Sequence, residues 1–149
     1  MYQTIKKQLW ELLRDITSIG GFMFYLSLLL VYAHSILFLP LLFGLIFTAS
    51  IVVLIRIFYF KDRPKKEAHH NLIERIDASS FPSLHTARIV FLAALFSAHY
   101  ESSYLTGVFI ISAIAVSYSR IYLQKHDYID VFAGAVLGGI AFMIASYLF

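Results

Sequence analysis

The chain has 149 residues, of which 60% are apolar and only 14% charged, and its mean hydropathy is +0.76. One soluble domain of this length cannot hide so much apolar surface, so the composition points to membrane integration. A net charge of +3 suits contact with anionic headgroups, the absence of cysteine excludes disulfides and thiol chemistry, and basic residues lying between apolar runs argue against nucleic acid as a partner.

Residues 1–17 carry Ile5, Leu9, Leu12, Leu13 and Ile16 at helical spacing, with most charges elsewhere. The pattern predicts an amphipathic helix lying in the headgroup plane, anchored by Trp10. No small-residue cleavage site follows, so a secretory signal peptide is not expected. From Ile16 to Ile55 there is no Asp, Glu, Lys or Arg, about twice the roughly 20 residues one spanning helix needs. Pro40 would end or kink a helix at that point, which predicts two spans, about 18–38 and 40–60, joined by a very tight turn.

Residues 61–80 are polar and predict a loop or short surface helix over the bundle. The pair His69-His70 has no further ligand cluster beside it, so a solvated loop is the expected reading and no metal is predicted. A third span, about 82–100, opens at Pro82, a residue tolerated at the first helical position. Arg88 lies inside this span and needs a partner or a snorkel to the interface. A fourth span covers about 104–123 and a fifth about 128–148. In the fifth, Gly134 and Gly138 fit a small-residue packing seam, extended by Gly139. No repeat, linker or low-complexity segment occurs. The expectation is one all-α domain, a polytopic membrane bundle of five transmembrane helices plus the N-terminal interfacial helix.

Between the fourth and fifth apolar runs, Ser119 to Asp130 sets Arg120, His126 and Asp130 close together. With a helix opening near Lys125, His126 and Asp130 form an i,i+4 pair. A carboxylate beside an imidazole holds one ring nitrogen as N–H and makes the other a better nucleophile or base. The same residues also suit a plain helix-end salt bridge. Alternating passage through the membrane decides in favour of chemistry. It gathers Arg56, Arg63, Ser83, His85, Arg120, His126 and Asp130 at one face, and ionisable groups at a membrane default to function.

Three ordered motifs then resemble the type 2 phosphatidic acid phosphatase family, which includes vanadium haloperoxidases and glucose-6-phosphatase. Arg56, six residues and Arg63-Pro64 are similar to its lysine, six residues, Arg-Pro. Pro82-Ser83-Leu84-His85 is similar to Pro-Ser-Gly-His. Ser119-Arg120, five residues, His126, three residues and Asp130 reproduce the third motif completely. Arg56 in place of lysine keeps the cation with different donor geometry. Leu84 in place of glycine keeps the backbone N–H and requires the side chain to point away from the phosphate. Family members commonly have six spans, one more than expected here.

The resemblance implies an integral-membrane lipid phosphatase with a polyprenyl diphosphate or phosphatidate-type substrate. It implies His126 as nucleophile, Asp130 as its orienting carboxylate, and His85 as general acid and base. Arg56, Arg63, Arg120, Ser83 and the Leu84 N–H would bind the phosphoryl oxygens, with no metal and no cofactor. A lipid phosphotransferase using the same site and a catalytically weak lipid-phosphate-binding protein are the alternatives. The expected partners are the bilayer and a membrane lipid, and the sequence fixes no oligomeric state. The active site is expected on the face shared with the N-terminus. Because Lys6, Lys7, Arg14, Lys65 and Lys66 also fall there, the positive-inside rule favours the cytoplasm, whereas the family resemblance favours the opposite face.

Overall fold

The computed structural model describes residues 19–65 and 71–149, and the expected helix over 1–17 and the His69-His70 pair lie outside them. The described residues form six α-helices and no strand. They are α1 (Ile19–Val31), α2 (Phe38–Phe58), α3 (Leu72–Ala78), α4 (Leu84–Tyr100), α5 (Ser103–Tyr122) and α6 (Tyr128–Leu148). The all-helical bundle expected from the sequence is therefore present.

The element ends differ from expectation in instructive places. The first two apolar helices part at residues 32–37, not at Pro40, through a turn in which the Ser35 N–H donates to the Tyr32 carbonyl at 2.9 Å. Pro40 instead occupies the first turn of α2, where no intrahelical partner for its missing N–H is required. Pro82 likewise stands just before α4, whose N-cap is Ser83 and whose first helical residue is Leu84. α5 and α6 lie within a residue of the expected spans.

α4 is the central helix, packed against α2, α5 and α6. Its contact with α6 depends on missing side chains. A Cβ on Gly134 would stand 2.4 Å from the Ser83 carbonyl oxygen, and one on Gly138 would stand 2.4 Å from that of Ala87. Gly139 does not extend this seam, since a Cβ there would meet nothing within 4 Å. Farther along α4, Phe91 lies over Gly44 of α2, and both are buried in a tightly closed interior.

The outside is apolar. Phe58, Ile114, Phe132 and Tyr147 are all largely exposed, an arrangement that water would not tolerate over such an area and that lipid accommodates. α2, α5 and α6 are each long and apolar enough to cross a membrane. α4, with 17 residues, is about 25 Å long, a little under the hydrocarbon thickness.

Candidate active site

One end of the bundle collects the end of α2, the start of α4, the end of α5 and the start of α6. Three non-helical segments, residues 59–65, 79–83 and 123–127, close over it. They are stitched together by main-chain bonds. The Ser80 N–H donates to the Lys61 carbonyl at 2.8 Å, the Lys65 N–H to Gln124 at 3.0 Å and the Ser83 N–H to Asp130 at 3.0 Å. After α5 the chain turns through Gln124 in the left-handed region, φ 54°. The N–H groups of Lys125 and His126 then both reach back to the Arg120 carbonyl.

His126 comes just before α6 rather than within it, because Asp127 takes the N-cap. Its buried imidazole donates from Nδ1 to the Ser80 carbonyl oxygen at 2.6 Å. A carbonyl can only accept, so Nδ1 carries the proton and Nε2 keeps its lone pair. The Asp130 carboxylate is 3.7 Å from Nδ1, too far for a hydrogen bond but close enough to stabilise positive charge on the ring. The direct orienting group is therefore the Ser80 carbonyl, not the expected carboxylate. Burial holds the His126 pKa below the usual histidine range, with Asp130 pulling it up and Arg56 pushing it down.

Asp130 is occupied elsewhere. Its Oδ1 accepts from Lys61 Nζ at 2.8 Å and its Oδ2 from the Asp127 N–H at 2.9 Å. Asp127 returns the favour, its Oδ1 accepting from the Asp130 N–H at 3.0 Å, which closes a reciprocal cap on α6. Lys61 also reaches Asp127 Oδ2 at 2.6 Å. Burial opposes the Lys61 ammonium, but the bonds to Asp127 and Asp130 outweigh it and raise its pKa above that of an ordinary lysine.

The remaining expected residues converge on the same end in different roles. His85, on the first turn of α4, faces His126 with ring centroids 6.4 Å apart, and its buried Nδ1 has no hydrogen-bond partner among the described residues. Arg56 is buried and donates to the carbonyls of Ile76 and Pro82, both at 3.1 Å. Arg63 donates to the Asp77 carbonyl. These two arginines thus hold the C-terminal carbonyls of α3 and the strap that follows it. Arg120 is buried, with Nε 3.3 Å from Ser119 Oγ.

Ser83 is wholly enclosed, and its hydroxyl accepts from Thr86 Oγ1 at 3.0 Å and the Thr86 N–H at 3.4 Å. That leaves its own proton to donate. The Leu84 side chain packs on Val52, Ala87 and Leu137. The bulk that replaces the family glycine is thus absorbed by the bundle, and the N–H of Leu84 stands at the open end of α4.

Sequence reasoning missed Lys61, Ser80 and Asp127. Lys61 sits inside the six-residue spacer of the first motif. Asp127, three residues before Asp130, was detectable as a capping pair. Ser80 acts through its backbone and leaves no signature in residue type.

The sequence pattern of the PAP2 superfamily matches residues 37–149 and takes in all three motifs. The crystal structure of Aquifex aeolicus LpxE is similar in fold, with a TM-score of 0.77 and 24% sequence identity, over 96% of this chain and 86% of that one. No curated protein matches the sequence.

Proposed function

Because this chain belongs to the PAP2 superfamily, we propose that it is an integral-membrane phosphatase that hydrolyses a lipid phosphate or diphosphate of polyprenyl or phosphatidate type. The observation that carries this reading is the His126 tautomer. Its Nδ1–H is held by the Ser80 carbonyl at 2.6 Å, which leaves Nε2 as a lone-pair nucleophile opposite His85.

In this mechanism Nε2 attacks phosphorus in line, forming an N–P bond as the bond to the leaving lipid oxygen breaks. His85 gives that oxygen a proton. Water, deprotonated by His85, then cleaves the phosphohistidine and releases phosphate. Asp130, 3.7 Å from the ring, stabilises the imidazolium-like charge of the intermediate. Arg56, Arg63 and Arg120 supply the positive field for the phosphoryl oxygens, aided by Ser83 and the N–H of Leu84 at the helix start. This reading requires neither metal nor cofactor. It takes α1 and α4 as spans beside α2, α5 and α6, a multi-pass arrangement with the site on the N-terminal face.

Detergent-purified protein offered a panel of lipid phosphates and diphosphates should release phosphate in the presence of chelator, and vanadate should inhibit. His126→Ala should abolish turnover and remove an acid-labile, base-stable phosphoprotein. Near wild-type activity in that variant would falsify the mechanism, and rescue of chelated enzyme by a divalent ion would overturn its metal independence.

A further inference from the structure

Arg88 is the only Asp, Glu, Lys or Arg in α4, and neither α1 nor α4 contains an acidic residue that could serve as its counter-ion. Among the described residues it makes no hydrogen bond or ion pair, and its Nε is buried without a partner. Across from it on α1, Tyr25 is 2% exposed, and its hydroxyl also lacks any partner. Tyr25 belongs to the same core cluster as Phe96 and Leu92 of α4, and Leu92 follows Arg88 by one turn on the same helix face. Two unsatisfied polar groups on neighbouring helices in an apolar interior are costly unless a ligand completes them.

Their position says which ligand. Arg88 follows His85 by three residues and so shares its helix face, with a Cα about 4.5 Å deeper along the axis. Long side chains on a helix lean toward its N-terminus, which brings the guanidinium back toward the turn that carries His85. A guanidinium offers only donors, and a phenol can donate as well as accept, so one anionic acceptor beside the reacting phosphoryl group would satisfy both.

We propose that Arg88 and Tyr25 form a second anion subsite, one helical turn below the reacting pocket, that takes the non-reacting phosphoryl group of a lipid diphosphate. This rests on the phosphatase reading and narrows its substrate class to diphosphates. A neighbouring anionic lipid headgroup offers the same chemistry from another source, and the experiment separates the two.

Hydrolysis of a prenyl diphosphate and the prenyl monophosphate of equal chain length would be measured for wild type, Arg88→Gln, Arg88→Lys and Tyr25→Phe, in neutral detergent and in nanodiscs with and without anionic lipid. Arg88→Gln should lower the diphosphate-to-monophosphate ratio of kcat/KM at least tenfold, and Tyr25→Phe about threefold. Arg88→Lys should fall between wild type and Arg88→Gln. An unchanged ratio, or a loss on both substrates seen only with anionic lipid, would overturn the proposal.

A binding arm requires no turnover. Inorganic pyrophosphate should raise the thermal midpoint of the wild type more than phosphate does, and Tyr25→Phe, which keeps the buried ring, should shrink that difference. Equal shifts by the two anions in the wild type would refute the subsite. Failure of wild type to release phosphate from any lipid, with the pyrophosphate preference intact, would instead sink the phosphatase reading alone.

Discussion

Replacing Lys61 with methionine removes one ammonium that serves two carboxylates of unequal exposure. Asp130 has no exposed side-chain surface, whereas Lys61 is 25% exposed and Asp127 38%. The Asp127 arm is a surface-type pair worth about 0–1 kcal/mol. Removing one partner of a fully buried pair costs about 3–5 kcal/mol. Here Asp130 keeps the Asp127 N–H and Lys61 is partly solvated, so about 2–3 kcal/mol is expected from that arm. The variant should therefore unfold earlier in detergent, by about 3 kcal/mol in total.

Its chemistry should change in a direction that simple loosening would not produce. In the proposed mechanism His126 must be neutral to attack, and burial keeps its pKa below the ordinary value. Without the lysine, Asp130 acts on the ring uncompensated and raises that pKa. The acid limb of kcat/KM, followed over about pH 5 to 8, should move to higher pH, with the plateau falling ten- to a hundredfold. Lys61→Arg should recover most of both. Because the folded-state pKa of Lys61 is raised, the stabilisation it gives is complete at neutral pH and is lost only as pH rises through that value. A Lys61→Met variant with the wild-type pH profile and stability would refute the coupling.

Gly134→Ala would drive a Cβ to 2.4 Å from the Ser83 carbonyl, displacing the α4 start. It should cost about 1–3 kcal/mol and at least tenfold in kcat, whereas Gly139→Ala should be neutral or stabilising by up to about 1 kcal/mol. Leu84→Gly should lower stability by about 1–2 kcal/mol through lost packing on Val52 and Leu137, yet keep the rate per folded molecule. A large kcat loss with the fold intact would show that the leucine shapes the pocket. A single cysteine at exposed Ser103 should react with an impermeant thiol reagent in intact cells and one at His69 should not. The reverse pattern would move the active site to the outer face.

The helices α5 and α6 were legible because their apolar runs are bounded by charge and caps. Pro40 misled because proline marks either the end of one helix or the first turn of the next, and only the turn at 32–37 decides between them. His126, Asp130, His85 and the three arginines were visible as residue types at known spacings. Their partners were not. The i,i+4 spacing of His126 and Asp130 suggested a direct bond, yet the cap at Asp127 starts the helix late and leaves 3.7 Å between them. Arg88 was visible as an anomaly in an apolar span, but Tyr25 reads as one more aromatic in a run of lipid-like sequence.

Main-chain carbonyls hold side chains throughout this site. Ile76, Asp77, Ser80 and Pro82 each offer a carbonyl to Arg56, Arg63 or His126. Ile76 and Asp77 lie in the last turn of α3, and Ser80 and Pro82 lie between its end and the start of α4. A carbonyl fixes a guanidinium or an imidazole by hydrogen bonding as a carboxylate would, but brings no net charge to cancel the cation. Carbonyl bonds thus orient Arg56 and Arg63 while leaving their charge available to the dianionic phosphoryl group of the proposed substrate. The Asp130 carboxylate near the proposed nucleophile is bridged by Lys61 at 2.8 Å. On this argument, introducing an acceptor with charge into the strap should cost activity as well as stability. Ser80→Asp would retain the backbone carbonyl that holds His126, but it buries a carboxylate at a fully enclosed position against the Asp62 carbonyl to which the Ser80 hydroxyl donates at 3.2 Å. It should raise KM for phosphorylated lipid, and the rise should be steepest at low ionic strength.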